Sequence, residues 1–211
     1  MARSEPARTG FTWGLPSVAV VAVAAAAATG AAPAATGPGS AIRAFEPVAD
    51  AYVSSAQPRR NFGRKRILRV DGAPEQTAYL RFRLKKVSGR ITSVTLLLHP
   101  TTATRASFAV RRVTEDGWRE GRLTYTNAPQ PSSRYTSSKP VLGGVWSAID
   151  ATPFVDNESG DVSLAITTRA ARGLSFGSRE SSHGPRLVVR FSKEARPGRA
   201  RDRRAGPVAI P

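Results

Sequence analysis

The stretch Ala78-Tyr79-Leu80-Arg81-Phe82-Arg83-Leu84 alternates apolar and polar side chains with a period of two residues. This alternation is typical of an antiparallel strand that buries one face and exposes the other to solvent. Leu80, Phe82 and Leu84 are therefore predicted to point into a core, and Tyr79, Arg81 and Arg83 to point outward into water.

The same pattern recurs between residues 45 and 191, in short segments bounded by Gly, Pro, Asn and Asp. Further examples are residues 94–98, 108–111, 162–166 and 187–191. Eight to ten such segments fit this region, and no long helical pattern accompanies them. Repeated short strands with turn signals predict an all-β fold, here a single antiparallel β-sandwich of the jelly-roll type.

The two ends of the chain differ in composition from this body. Residues 1–34 are predicted to be a secretory signal peptide, with an early basic region, an apolar run and small residues at a cleavage site. Residues 35–44 are predicted to be a flexible lead-in, 45–191 the sandwich, and 192–211 a disordered basic tail. The apolar run is short for a membrane span, so we expect none after signal cleavage; the alternative is an uncleaved anchor.

Charge and cysteine content narrow the classes of function. The chain carries 32 Lys and Arg against 15 Asp and Glu, for a net charge of +17, and it has no cysteine. The first 35 residues contribute one net positive charge and the last 20 contribute four, so the body itself is basic. Such a field favours anionic partners, while the lack of cysteine excludes disulfides, thiolate metal sites and cysteine nucleophiles.

A catalytic serine motif is the strongest hint of enzyme activity in the sequence. Gly173-Leu174-Ser175-Phe176-Gly177 matches the G-x-S-x-G elbow, which requires a strand-to-helix turn followed by an acid and then a histidine. Here the apolar residues alternate as in a strand, and His99 and His183 are the only histidines. We therefore interpret the motif as a core strand with turn glycines, and we expect no enzyme activity.

Metal binding is constrained by the same composition. Two separated histidines without cysteine provide too few nitrogen or sulfur ligands for zinc. A calcium site is still compatible with the composition, because calcium needs only oxygen ligands. The candidate ligands are Asp50, Asn61 and Asp71, near the first strands. These residue types are also common in turns, which is the alternative interpretation. No other cofactor is expected.

Basic and aromatic side chains are the candidates for binding a polysaccharide. Flat aromatic faces pack against sugar C–H groups, and Arg forks bind carboxylates or sulfates. The candidate residues are Tyr52, Arg69, Arg81, Arg83, Arg111, Trp118 and Tyr125. The alternative is that the arginines form a solvated face and the aromatic residues fill the core.

An ordered series of short motifs resembles a known family. The motifs are Ala49-Asp50-Ala51-Tyr52-Val53, Asn61-Phe62-Gly63, Leu68-Arg69-Val70-Asp71-Gly72, Tyr79-Leu80-Arg81-Phe82, Trp118-Arg119-Glu120, Leu123-Thr124-Tyr125-Thr126-Asn127-Ala128-Pro129, Ser178-Arg179-Glu180-Ser181 and Pro185-Arg186-Leu187-Val188-Val189. In this order they resemble the DNRLRE domain family, also called carbohydrate-binding module family 96, over about residues 48–190. The resemblance implies a jelly-roll sandwich that binds polysaccharide in secreted bacterial proteins.

One position departs from the family pattern. Many members have an acidic residue after the Tyr-Leu-Arg-Phe motif, whereas this chain has Arg83 followed by Lys85 and Lys86. The departure favours an anionic ligand.

The sequence therefore predicts a secreted, extracellular or cell-wall-associated, non-catalytic module that attaches to polysaccharide, and its charge favours an acidic polysaccharide. The alternative is a structural wall or surface protein in which the sandwich is a spacer and the basic tail provides adhesion. A nucleic-acid partner is not expected, because the export signal and the absence of a recognition motif disfavour it.

Overall fold

The computed structural model describes residues 40–192, apart from residues 86, 88, 103, 104, 157–159 and 171. The expected signal peptide, residues 35–39 of the lead-in and residues 193–211 of the tail lie outside the described residues. The described part forms eleven strands: β1 (Ser40–Phe45), β2 (Pro47–Ser54), β3 (Ile67–Gly72), β4 (Glu75–Arg83), β5 (Ile91–Leu98), β6 (Ala109–Val113), β7 (Pro131–Ser137), β8 (Ser147–Asp150), β9 (Asp161–Thr167), β10 (Leu174–Gly177) and β11 (Arg186–Ser192). Short 3₁₀ turns span Glu120–Arg122, Tyr125–Asn127 and Thr152–Phe154.

The strands form two antiparallel sheets. The smaller sheet has the order β1-β11-β5-β8, and the larger has the order β10-β3-β4-β9-β6-β7, with β2 also paired to β4. No α-helix occurs in the residues that the structure describes, and none of their helical turns has the length and hydropathy to cross a membrane. The predicted all-β, jelly-roll sandwich is confirmed.

The core lies between the two sheets and follows the alternation of the sequence. Leu80, Phe82 and Leu84 are each at most 1% exposed, so their predicted inward orientation is confirmed. From the smaller sheet, Leu96 and Val189 are fully buried in the same cluster. Each such side chain contributes about 1.5–3 kcal/mol of transfer free energy, so this interleaved layer drives the pairing of the sheets.

The face of the larger sheet that points away from the core is partly covered by another segment of the chain. The prediction that this whole face is exposed to solvent is therefore wrong. Tyr79, which alternates with the core residues of β4, is only 3% exposed. It packs in a second hydrophobic cluster with Trp118 and Leu123, which belong to the segment between β6 and β7. This segment, residues 114–130, folds back over β4 and β9, and we call it the covering segment. The Tyr79 hydroxyl donates to the Pro129 carbonyl of this segment at 2.9 Å.

The sandwich begins earlier than the sequence pattern indicated. Residues 40–44, expected in the lead-in, belong to β1, which pairs with β11 along its whole length. Ala41 and Phe45 pack against the core from this strand. Only these two residues of β1 pack against the core, while Arg43 between them is exposed, so the strand lacks the regular apolar alternation that indicated the others.

Candidate functional site

A groove crosses the outer face of the larger sheet. It has a volume of about 360 Å³, and its walls include Thr77 and Tyr79 of β4 and Tyr125 of the covering segment. A second depression of about 200 Å³ lies on the side of Tyr135. The two depressions share four lining residues: Arg111, Thr167, Thr168 and Arg169. Together they form one open cleft, which we call the groove.

Arg111 lies at the centre of the groove and is held in place by its neighbours. Its Nε donates to Thr167 Oγ1 at 3.2 Å, and its Nη1 donates to the carbonyls of Ser132 and Ser133 at 2.9 and 3.0 Å. Its guanidinium carbon lies 4.8 Å from the centre of the Tyr135 ring, a cation–π distance. Among the described residues, none accepts a hydrogen bond from Nη2, so that edge can bind an anionic group.

The other groove residues add aromatic and polar groups. Tyr135 is 51% exposed and offers its ring to solvent. The Tyr125 hydroxyl donates to Glu75 Oε2 at 2.8 Å, and this bond, with the Glu75 charge, raises the pKa of Tyr125. Arg169 lies at the rim and is exposed. The groove therefore combines aromatic faces, two cations and one carboxylate.

A strongly basic segment adjoins the groove through the covering segment. Between Arg59 and Arg69 the chain has no acidic residue. It has six exposed cations there: Arg59, Arg60, Arg64, Lys65, Arg66 and Arg69. The backbone N–H of Thr126, next to Tyr125 of the groove, donates to the Pro58 carbonyl at 3.1 Å. We call residues 59–69 the basic segment.

The structure separates the seven candidate sugar-binding residues. Arg111 and Tyr125 line the groove, and Arg69 lies exposed in the basic segment. Arg83 is exposed and forms a bidentate ion pair with Asp161, at 2.7 and 2.9 Å.

The remaining three candidates make packing contacts. Tyr52 is 5% exposed and stacks on Phe62 with ring centres 4.3 Å apart. Trp118 is buried in the second hydrophobic cluster, and Arg81 lies over its ring at 5.5 Å. Arg81 also donates to the Asp116 carbonyl at 2.8 Å.

Sequence reasoning did not select Tyr135 and Arg169 as site residues. Tyr135 lies in β7, whose Ser- and Thr-rich sequence has a weak apolar alternation, and Arg169 follows β9 in a loop. No local pattern distinguishes them from other surface residues, because the groove arises from the pairing of β6 with both β7 and β9.

Three carboxylates meet at a different place. Asp50 of β2, Glu120 of a 3₁₀ turn and Glu180 of the β10–β11 connection each place one oxygen within 4.8 Å of the others. We call these residues the carboxylate cluster. Arg179 joins them, because its backbone N–H donates to Asp50 Oδ2 at 2.7 Å and its Nη2 donates to Glu120 Oε2 at 2.8 Å and Glu180 Oε1 at 3.1 Å.

The surroundings of the carboxylate cluster disfavour the ionised form of Asp50. Burial raises the pKa of Asp50 to about 7; the Arg179 N–H opposes this shift, and the charges of Glu180 and Glu120 add to it. Burial likewise raises the pKa of Glu120. Oxygen atoms Asp50 Oδ1 and Glu120 Oε1 are buried and have no hydrogen-bond partner among the described residues.

The three calcium candidates fall in two places. Asp50 is a member of the carboxylate cluster, and Asn61 lies beside it, with its amide donating to the Glu120 carbonyl at 2.6 Å. Asp71 instead accepts the Ala73 N–H at 3.2 Å in the turn after β3. Glu120 and Glu180 belong to the motifs that resemble the family, but the spacing of these motifs along the chain did not predict that the two residues share a site.

The serine motif is a strand, as interpreted from the sequence. Ser175 lies in β10, opposite Arg69 of β3. Its backbone N–H donates to Thr102 Oγ1, and its carbonyl accepts the Thr101 N–H. A nucleophile elbow needs a turn into a helix, so this geometry does not provide one.

Comparison with known proteins agrees with the family resemblance. The model of carbohydrate-binding module family 96 matches residues 41–191. This match supports a carbohydrate-binding function. No curated protein matches the chain.

Two solved structures are similar at low identity. One is the N-terminal part of Clostridium thermocellum endo-1,4-β-D-xylanase 10B, CBM22-1 and GH10 modules complexed with xylohexaose, with 11% identity and a TM-score of 0.32. The match covers 72% of this chain and 29% of that one. The other comes from work on promiscuous specificity of carbohydrate-binding modules from the β-sandwich superfamily, with 15% identity, a TM-score of 0.24, and coverage of 74% and 56%. At these TM-scores neither structure is evidence for a shared ligand.

Proposed function

Because the chain belongs to carbohydrate-binding module family 96, we propose that it is a secreted, non-catalytic module that attaches to acidic polysaccharide through the groove. The observation that carries the choice of surface is Arg111, which lies over Tyr135 and keeps one guanidinium edge without a partner among the described residues. A groove with an aromatic face and a fixed cation suits a sugar ring that carries a carboxylate.

The chemistry of the groove supports this ligand class. A uronic acid presents an apolar C–H face for the half-exposed Tyr135 ring and a carboxylate for the fork of Arg111. Hydrogen bonds to charged groups contribute about 1.5–3 kcal/mol, which makes Arg111 the dominant polar contact. Glu75 and the Tyr125 hydroxyl provide acceptors and donors for sugar hydroxyl groups.

The charge distribution supports an anionic polymer in particular. The Pro58 carbonyl accepts the N–H of Thr126, next to Tyr125 of the groove, and the basic segment that follows Pro58 carries six further exposed cations. The net charge of +17 attracts a polyanion from a distance. Because exposed charges are screened by salt, attachment should weaken steeply as ionic strength rises.

The test compares two variants that lose the same charge. Arg111→Gln removes the groove cation, whereas Arg190→Gln removes an exposed cation of β11 in the smaller sheet. We expect Arg111→Gln to weaken binding to polygalacturonate about tenfold or more, and Arg190→Gln to bind like the unchanged protein. Thermal unfolding of both variants checks that the fold is retained. If the two variants bind polygalacturonate with equal affinity, the groove is not the binding surface. If the protein is retained on neutral cellulose at high salt as well as on polygalacturonate, the ligand is not selected by its charge.

Export and the role of the tail have their own tests. The signal-like pattern of residues 1–34 supports secretion, and N-terminal sequencing of the protein from culture medium would locate the cleavage site. The structural alternative assigns adhesion to the basic tail. Deletion of residues 192–211 separates the two, because loss of polysaccharide binding with the tail would show that the sandwich is only a spacer.

A further inference from the structure

The carboxylate cluster brings together three residues that are far apart in the chain. Asp50, Glu120 and Glu180 come from β2, the β6–β7 connection and the β10–β11 connection, and their oxygens lie within 4.8 Å of one another. We propose that this cluster binds one calcium ion, which links the three segments.

Two buried oxygens without partners point to a ligand. Asp50 is 1% exposed, yet its Oδ1 has no hydrogen-bond partner among the described residues, and the same holds for Glu120 Oε1. Leaving a buried polar atom unpaired costs about 1–3 kcal/mol, and more for a charged group. A cation between these oxygens satisfies both atoms.

Arg179 compensates only part of the negative charge. Its guanidinium donates hydrogen bonds to Glu120 Oε2 and Glu180 Oε1 but not to Glu120 Oε1. Three ionised carboxylates and one guanidinium leave a formal charge of −2, which a divalent cation neutralises. Arg179 therefore positions the carboxylates around an ion without occupying the two unpaired oxygens.

The donor set favours calcium, and its spacing is compatible with that ion. All three donors are carboxylate oxygens, which calcium and magnesium prefer over zinc. Two oxygens on one calcium ion lie at most about 4.6–5.2 Å apart, twice the usual bond length, whereas two on magnesium lie at most about 4.2 Å apart. The three oxygens all lie within 4.8 Å of one another, inside the calcium limit.

Neighbouring side chains hold the carboxylates in place. The Asn61 amide donates to the Glu120 carbonyl at 2.6 Å and to the Leu123 carbonyl at 2.7 Å. Ser178 Oγ donates to Glu180 Oε2 at 3.0 Å. Such outer contacts fix the ligands before the ion arrives and lower the ordering cost of binding.

The proposed ion has a structural role that is separate from the groove. No member of the carboxylate cluster lines the groove as described. Calcium should therefore stabilise the fold whether or not a polysaccharide is bound, because an ion that binds only the folded state shifts the unfolding equilibrium.

The test is a titration of the chelator-treated, purified full chain with calcium chloride and, separately, magnesium chloride. We expect calorimetry to give one calcium site per chain, with saturation near ~1 mM or below, and a rise in the unfolding temperature. Magnesium should bind at least tenfold more weakly. Glu180→Gln and Asp50→Asn should lose the calcium response, while Asp71→Asn, which removes an acid outside the cluster, should keep it.

The variants also distinguish an ion site from a merely buried acid. If calcium binds, Asp50→Asn raises the unfolding temperature of the chelated chain and lowers that of the calcium-loaded chain. Absence of both binding heat and a change in unfolding temperature at ~1 mM calcium would overturn the proposal. An equal response to magnesium, or an unchanged response in Glu180→Gln, would overturn it as well. Polysaccharide retention is scored separately, so neither proposal depends on the other.

Discussion

Trp118 donates its indole N–H to the hydroxyl of Ser163 at 3.0 Å, across the outer face of the larger sheet. Ser163 is fully buried in β9, and the Trp118 ring packs edge-on against Tyr79 of β4. This contact fastens the segment between β6 and β7 to the sheet. The same segment supplies Tyr125 to the groove and Glu120 to the carboxylate cluster, so one anchor supports both places.

Replacing Trp118 by Phe should therefore destabilise the protein. The variant leaves the Ser163 hydroxyl buried without its donor and removes part of the ring, for an expected loss of about 1–3 kcal/mol in the free energy of unfolding. Equilibrium urea unfolding measures it. Trp146→Phe is the matched control, because Trp146 is 39% exposed and its loss should have a smaller effect. Equal effects of the two variants would contradict the anchoring role of Trp118.

Gly63→Ala should disturb the position of Glu120. A Cβ at Gly63 would lie 2.5 Å from the Glu120 carbonyl oxygen, so the backbone must shift. Overpacking of this kind costs about 1–3 kcal/mol, measured as a lower unfolding free energy. Gly121→Ala, in the same 3₁₀ turn as Glu120, meets nothing within 4 Å and should be nearly neutral. A Gly63→Ala protein as stable as Gly121→Ala would refute the close approach.

Tyr135→Ala should reduce binding of acidic polysaccharide with little change in stability. The ring is half-exposed, so its removal costs little in folding, but it removes the aromatic face beside Arg111. Affinity measurements on polygalacturonate should show Tyr135→Phe close to the unchanged protein, since it keeps the ring. If the Ala and Phe variants bind alike, the ring does not contact the sugar.

The ion pair between Arg83 and Asp161 should make stability depend on pH in the acid range. The hydrogen bond from Arg83 lowers the pKa of Asp161 below its ordinary value of 3.8. A lowered folded-state pKa means that the stabilisation is complete above 3.8 and is lost as the pH falls through the lowered value. The effect is small, because Arg83 is exposed and Asp161 is only partly buried, so solvent screens the pair.

The measurement compares the unchanged protein with Arg83→Gln by urea unfolding from neutral pH down to about pH 2. The stability difference between the two proteins should be present at neutral pH and shrink in acid. Taking the difference removes the repulsion among the cations that the two proteins share. A difference that stays constant, or grows in acid, would show that the ion pair does not contribute as described.

Much of the sandwich could be predicted from residues 78–84 and similar stretches. Leu80, Phe82 and Leu84 fill the core as their alternation indicates, and residues 94–98, 162–166 and 187–191 lie within strands β5, β9 and β11. The prediction failed at Tyr79, where a distant segment covers the face expected to be wet. Alternation shows which side chains share a face of a strand, but it does not show what packs against that face.

The candidate sites were less predictable than the fold. Arg111 and Tyr125 were selected from the sequence and do line one groove, whereas Trp118 and Tyr52 are packed into hydrophobic clusters. An aromatic residue near a strand end has the same local sequence pattern whether it lines a groove or packs in a hydrophobic cluster. Its burial depends on the path of the connecting segment, and that path is set by tertiary contacts such as the bond from Tyr79 to Pro129.

The sequence by itself determined the all-β architecture, the inward set of side chains, the basic charge and the family, because each depends on local order or composition. Only the tertiary structure decided that Asp50, Glu120 and Glu180 meet in one cluster, that two of their oxygens are buried without a hydrogen-bond partner among the described residues, and that Arg111 lies beside Tyr135 in a groove. The three carboxylates are separated by 60 residues or more along the chain. Their distances in space follow from strand pairing and loop packing, which no periodicity within a single strand encodes.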